Sequence, residues 1–113
     1  MQTFSLNDLV TESERHHQRW QEFLRVSSLS MGLYRLKAGQ ADEQQPHTED
    51  EVYFVISGKA SFLVSGQKQA VVAGSVIFVE RNVEHRFADI TEDLTVLVYF
   101  APPEGSLKNE QQK

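Results

Sequence analysis

From residue 30 onward the chain consists of short apolar runs of strand length, separated by glycine and other turn residues at nearly regular intervals. Strands spaced in this way are typical of a β-sandwich or a closed β-barrel. Ser57-Gly58-Lys59, between the second and third runs, predicts a β-hairpin. The pattern indicates an all-β domain, whose runs are residues 31–37, 51–56, 60–65, 68–73, 76–79 and 94–100.

The N-terminal segment has a different periodicity. Leu6, Leu9 and Val10 recur at helical spacing, and Ser5 precedes them in the position of a helix cap. This pattern predicts a surface helix from residue 5 to about residue 19, followed by an apolar segment that forms a first strand.

We divide the chain into three parts on this basis. Residues 1–28 contain the helix and the lead-in strand, and residues 29–103 form the β domain. Pro102 and Pro103 end the last strand, because proline cannot donate a hydrogen bond to a sheet. The polar remainder, residues 104–113, is expected to be a flexible tail.

Composition restricts the partners of this protein. The 113 residues carry a formal net charge of -5 with no basic stripe, so a nucleic-acid partner is not expected. The absence of cysteine excludes disulfides and thiolate metal ligands. No apolar run approaches the roughly 20 residues that cross a bilayer, and no secretory signal is visible, so we predict a cytoplasmic location without a membrane partner.

Two histidines and a glutamate carry the strongest functional signal. Side chains alternate across a strand, so Gln45, His47 and Glu51 share one face if this segment is extended, and His85 lies on a later strand. Imidazole nitrogens and carboxylate oxygens are ligands of first-row transition ions. A bound cation would also satisfy polar groups placed on an apolar inner wall.

The spacing of these residues resembles the first motif of the cupin family. That motif reads glycine, five residues, His-x-His, three or four residues, glutamate, six residues, glycine. The corresponding positions here are Gly39, Gln45, His47, Glu51 and Gly58, with Gln45 in place of the first histidine.

The second cupin motif is matched more loosely. It reads glycine, five residues, proline, one residue, glycine, two residues, histidine, three residues, asparagine. Gly74, Glu80, Asn82, His85 and Asp89 occupy these positions, so the proline and the glycine are both replaced. Asparagine tolerates a positive φ better than most residues, so the turn can be preserved.

The resemblance covers roughly residues 30–100 and implies a double-stranded β-helix, or jelly-roll barrel, preceded by the short helix. It implies a divalent metal ion (iron, manganese, nickel or zinc) held by His47, Glu51, His85 and Gln45. It also implies a small organic substrate and an activity such as that of a dioxygenase, isomerase or decarboxylase. A non-catalytic barrel that binds or senses a small ligand is the alternative, since the same fold hosts both.

Several roles stay open at this stage. His47 and Glu51 can also be a solvated pair without metal, and Gln45 can ligate, bind a water or merely line the pocket. Glu49 is expected to face solvent in a turn, although it can substitute as an oxygen ligand. Barrels of this kind often form homodimers, and the need to cover Trp20 and Phe23 suggests an interface at the N-terminal segment.

Overall fold

The computed structural model describes residues 1–44 and 46–108. These residues form a mainly β structure with a short N-terminal helix, as predicted. The elements are α1 (Leu6–Arg15), β1 (Trp20–Arg25), β2 (Ser30–Leu36), β3 (Asp50–Val64), β4 (Gln67–Val72), β5 (Val76–Val79) and β6 (His85–Ala101).

The helix ends before the predicted residue 19. Its last residue is Arg15, and His17 adopts a φ of 52°, in the left-handed region that terminates helices. The chain then enters β1 at Trp20, so the predicted first strand is confirmed.

The strands form one antiparallel sheet in the order β1-β2-β6-β3-β4, with β5 paired to β3. The first part of β3, residues 50–55, lies between β6 and β5, whereas residues 59–64 lie between β6 and β4. The long strands β3 and β6 therefore run through both halves of the sheet. The sheet folds over along these two strands and encloses the core.

The hairpin predicted at Ser57-Gly58-Lys59 is wrong, because β3 continues through it. The pairing of β3 with β6 shifts register on both sides of Ser57, and Gly58 has a φ of 106°. A Cβ at Gly58 would lie 2.4 Å from the carbonyl oxygen of Asp93. The glycine therefore allows a close approach of β6 at an irregularity in the ladder, rather than a chain reversal.

The last strand is longer than the predicted run 94–100. It begins at His85, passes Asp89 with a φ of 47°, and ends at Ala101, directly before the two prolines. His85 is thus the first residue of a strand that extends across both halves of the sheet.

Strand alternation determines which side chains enter the core. On β3, Tyr53 and Val55 are fully buried, whereas Phe54 between them is 38% exposed. On β6 the same alternation directs every second side chain inward over residues 94–100, whereas it is interrupted at residues 88–93. The two inner faces supply most of the core, which includes Leu36, Tyr53, Val55, Phe62, Val79, Phe87, Leu94, Val96, Val98 and Phe100.

The apolar residues of β1 are partly covered by their own chain. A Cβ at Gly32 would lie 2.1 Å from the indole of Trp20, so this ring lies directly on the β2 backbone. Phe23 packs against Phe4 with ring centroids 4.9 Å apart. Both rings remain partly exposed, so the predicted interface at Trp20 and Phe23 stays a prediction. Across the described residues, no helix is long and apolar enough to span a bilayer.

Candidate metal centre

The structure brings together the three residues on which the sequence prediction depends. His47 lies in the loop before β3, Glu51 is the second residue of β3, and His85 is the first residue of β6. One ligand atom from each lies within 4.8 Å of the others. Because β3 and β6 pair with each other, the acid and His85 are delivered by strands of the same sheet.

The distances suit a shared ion. Glu51 Oε1 is 3.2 Å from His47 Nδ1 and 3.0 Å from His85 Nε2. Ligand atoms that lie about 2.1 Å from an ion and roughly 90–110° apart are separated by about 3.0–3.4 Å. Both distances fall within this range, and all three donor atoms lie within 4.8 Å of one another, so the donor set is compatible with a transition ion.

Two atoms of this cluster are buried without a hydrogen-bond partner. They are His47 Nδ1 and Glu51 Oε1, which face each other but are not aligned for a hydrogen bond. An unsatisfied buried polar group costs about 1–3 kcal/mol, and more when it is charged. A cation between these atoms would satisfy both, which is a second, independent reason to place a metal here.

The orientation of the His85 ring is set by a contact of Nδ1, the nitrogen that faces away from Glu51. Nδ1 lies 2.8 Å from the carbonyl oxygen of Val83, which can accept its proton. Nε2 then faces Glu51 and the Tyr53 hydroxyl, which is 3.0 Å away. Metal-binding histidines commonly have one nitrogen paired in this way and the other directed at the ion.

The charges of the three residues are coupled. Burial lowers the pKa of His47, but the carboxylates of Glu104 and Glu51 outweigh it and raise this pKa to about 9. Burial likewise opposes the charged form of His85, and its contacts with Glu51 and Val83 raise its pKa. Burial would raise the pKa of Glu51, yet its contacts with both histidines lower it. In both histidines the neighbouring acceptors favour the protonated imidazole.

A second layer of hydrogen bonds surrounds the cluster. Asp42 is 4% exposed and accepts hydrogen bonds from the Tyr34 hydroxyl (2.5 Å), the Gln44 amide (2.6 Å) and the Phe87 backbone (2.8 Å). The Tyr53 hydroxyl donates to the Gln44 carbonyl at 2.8 Å. Burial raises the pKa of Tyr34 and of Tyr53, so both phenols keep their protons.

Sequence reasoning missed this layer. It did not assign Tyr34, Tyr53, Asp42 or Gln44 to the candidate site. Asp42 and Gln44 lie shortly before His47 in the sequence, and this proximity was the signal that they could contact the site. Strand periodicity does not extend into that segment, so it could not show which way their side chains point. Gln45, the remaining candidate ligand, lies outside the described residues.

A cavity of about 170 Å³ opens onto the cluster. Its lining includes both aromatic rings and polar side chains. Its lining consists of Trp20, Tyr34, Gln44, His47, Glu51, Tyr53, Val98, Phe100 and Glu104. The cavity is large enough for a small organic molecule, and a ligand that enters it contacts the metal-binding cluster.

Two glutamates have positions that the sequence did not predict. Glu49, expected in solvent, is 1% exposed and accepts hydrogen bonds from the Gly105 and Leu107 backbones, so the expectation is wrong. Its carboxylate is occupied by these amides rather than offered to the cluster. Glu104, assigned to the tail, lies beside His47, with 3.2 Å between Oε2 and Nε2.

Sequence comparison identifies the family and a relative. The family model described as the cupin domain matches residues 32–100. An uncharacterised protein of Streptomyces coelicolor, SCO3923, is 46% identical over 105 residues, which cover 93% of this chain and all of that protein.

Solved structures show the same fold at low sequence identity. TT1209 from Thermus thermophilus is 20% identical with a TM-score of 0.73, over 91% of this chain and 99% of that one. KdgF from a Halomonas species is 17% identical with a TM-score of 0.69, over 90% and 94%. The DMSP lyase DddQ from Ruegeria pomeroyi is 20% identical with a TM-score of 0.67, over 83% of this chain and 51% of that longer one.

Proposed function

This chain belongs to the cupin family, and from that premise we propose that it binds a divalent transition-metal ion through His47, Glu51 and His85. The observation that carries the proposal is the pair of buried atoms without partners, His47 Nδ1 and Glu51 Oε1, which face each other within the cluster. Two nitrogens and one carboxylate are the donor set of many non-haem iron sites, and they also suit manganese, nickel or zinc.

We further propose that the bound ion acts on a small organic molecule in the adjoining cavity, as in a dioxygenase or an isomerase. When bound, such an ion polarises a carbonyl or, if it is iron, activates oxygen. Trp20 and Phe100 offer an apolar wall for the body of the ligand, and the cluster receives its polar end. One structurally similar protein is a lyase, so barrels of this shape accommodate catalysis, although a fold does not determine a reaction.

The chain's own residues have definable tasks in this proposal. The phenol of Tyr53 stays protonated, donates its hydrogen bond to Gln44 and lies 3.0 Å from His85 Nε2, so it holds Gln44 and His85 in place beside the cavity. Tyr34, fixed by Asp42, lies beside Trp20 and helps to line the cavity. The burial of Glu51 excludes bulk water from the donor atoms.

Elemental analysis of protein purified without chelator tests the metal site. We expect stoichiometric metal in the wild type and its loss in His47→Ala and Glu51→Ala. His16→Ala is the matched control, because His16 is exposed on the helix end and removes an imidazole without touching the cluster. Failure of the wild type to bind iron, manganese, nickel or zinc after reconstitution would contradict the proposal.

The second candidate function is a non-catalytic barrel that binds or senses a small ligand. The feature that favours it is Gln45, which replaces a histidine in the family motif and leaves fewer strong ligands. Oxygen uptake with phenolic and keto compounds separates the two candidates. Substrate-dependent uptake by the metal-loaded protein supports the enzyme, whereas tight ligand binding without turnover supports the sensor.

The proposal includes a homodimer formed through the outer face of the sheet. Val76 and Phe78 on β5 are 68% and 61% exposed, and Phe54, paired with Val76, is 38% exposed. Such an apolar face is a typical site of subunit association. Sedimentation should give a dimer at micromolar concentration and a monomer for Phe78→Ser; a monomeric wild type would contradict it. The cytoplasmic location remains a prediction.

A further inference from the structure

Glu104 lies at the mouth of the cavity, although it is far from the cluster in sequence. Its carboxylate Oε2 is 3.2 Å from His47 Nε2, on the side of the imidazole that faces away from Glu51. The side chain of Glu104 is 31% exposed, so it borders the cavity rather than bulk solvent alone. Glu104 does not belong to the three-residue metal cluster.

The segment that carries Glu104 is held in place by a buried acid. Glu49 accepts hydrogen bonds from the backbone N–H of Gly105 at 2.7 Å and of Leu107 at 3.0 Å. Hydrogen bonds to a charged carboxylate are stronger than those between neutral groups. Glu49 therefore ties the residues after Glu104 to the loop that contains His47.

The opposite side of the same segment is tied to β1 and β2. The Glu104 N–H donates to Ser30 Oγ at 2.9 Å, and the Glu104 carbonyl accepts a hydrogen bond from Arg25 at 2.9 Å. Both the N–H and the carbonyl group of Glu104 are therefore hydrogen-bonded. Its carboxylate is presented to His47 from a fixed position.

The arrangement has a consequence for the protonation of His47. A neutral imidazole carries one proton, and only the other nitrogen can bind a metal. Glu104 offers an acceptor 3.2 Å from Nε2, so a neutral His47 can keep its one proton there while Nδ1 faces Glu51 and the proposed ion. His85 is arranged in the same way, with Val83 at Nδ1 and Glu51 at Nε2.

We propose that Glu104 is a positioning residue of the metal site, which holds the proton of His47 on Nε2 and directs Nδ1 to the ion. This inference rests on the proposed metal site and adds to it a carboxylate supplied by the C-terminal segment. Partners of this kind raise the basicity of the ligand and fix the orientation of its ring. Their removal typically weakens metal binding by roughly 10- to 100-fold.

Titration calorimetry of the full chain with Zn²⁺ and with Co²⁺ tests the proposal. Glu104→Ala should weaken the binding of both ions by roughly 10- to 100-fold. Glu104→Gln should recover part of the loss, because its amide oxygen still accepts the Nε2 proton. Glu80→Ala is the matched control, since it removes an equally charged, exposed side chain and should leave affinity unchanged.

The visible absorption of the cobalt-saturated protein separates positioning from ligation. A positioning residue leaves the spectrum of saturated Glu104→Ala like that of the wild type, because the ligands are the same. A changed spectrum would mean that Glu104 itself ligates, and equal affinity in wild type and Glu104→Ala would mean that it does neither. Either result overturns the inference while the metal site stands. A wild type that binds neither ion overturns both.

Discussion

The interior of this barrel contains two regions with opposite chemistry. In one, the rings of Phe62 and Phe87 pack edge to face at 4.9 Å and the core around them is apolar. In the other, His47, Glu51 and His85 lie close together with two buried atoms unpaired. Tyr53 separates them, with its ring against Phe87 and its hydroxyl at His85. We expect the first region to stabilise the fold, and the second to contribute less than apolar residues of similar size until a cation occupies it.

The largest expected effect comes from the packed region. Phe87→Ala removes a ring that is 1% exposed and should lower the free energy of unfolding by about 3–5 kcal/mol. Urea denaturation in the presence of EDTA measures this loss without any metal contribution. A loss below about 1 kcal/mol would mean that the region is loosely packed, and the comparison would fail.

Removal of the whole polar cluster is expected to leave the free energy of unfolding unchanged or to raise it. In metal-free protein, the triple variant His47→Leu, Glu51→Met, His85→Leu should be neutral or more stable by about 1–4 kcal/mol, because buried ionic groups are replaced by packed apolar ones. His47→Leu alone should destabilise, since it leaves Glu51 with one fewer partner. The same denaturation measurements apply. A strongly destabilised triple variant would show that the cluster contributes to the fold without metal.

A smaller effect is expected at the wall between the cavity and the sheet. Gly32→Ala places a methyl group 2.1 Å from the indole of Trp20 and should cost roughly 1–3 kcal/mol through overpacking. Adding Trp20→Phe should relieve part of this cost, because the ring is smaller. A double-mutant cycle measures the coupling, and strict additivity would contradict direct contact between the two positions.

The comparison also predicts a dependence on pH. The pKa of His47 in the folded, metal-free protein is about 9, above its ordinary value of 6.5. The stabilisation from its charged form is therefore complete below about pH 6.5 and is lost as the pH rises through about 9. Metal affinity should change in the opposite direction over this range, because the ion displaces the proton.

Thermal unfolding in EDTA at several pH values tests the expected loss of stability as the pH rises. Metal titrations at the same pH values test the expected gain in metal affinity. His47→Gln is the control and should reduce both dependences. Parallel trends of stability and affinity with pH would exclude competition between proton and metal at this residue.

Much of the fold was predictable because strand alternation and turn residues are local properties. The faces of Glu51, Tyr53 and Val55 follow from alternation alone. The false hairpin at Gly58 has a long-range cause, since this glycine accommodates the Asp93 carbonyl of β6, and local sequence cannot reveal which distant strand approaches.

The candidate site was predictable to the extent that its spacing matches a family motif. His47, Glu51 and His85 were identified in this way. Glu104 and Glu49 were not, because their positions depend on how the segment after the last strand returns to the His47 loop. That return depends on backbone hydrogen bonds, which leave no periodic pattern in the sequence.

The placement of Trp20 over Gly32 gives the protein a built-in reporter. The chain contains one tryptophan, and its ring lines the cavity that opens onto the metal cluster. Its intrinsic fluorescence should therefore respond to events in the cavity without an added label. Ions with a partly filled d shell, such as Co²⁺ or Ni²⁺, are expected to quench the emission, whereas Zn²⁺ is not, so one optical titration can distinguish occupancy from the electronic nature of the occupant.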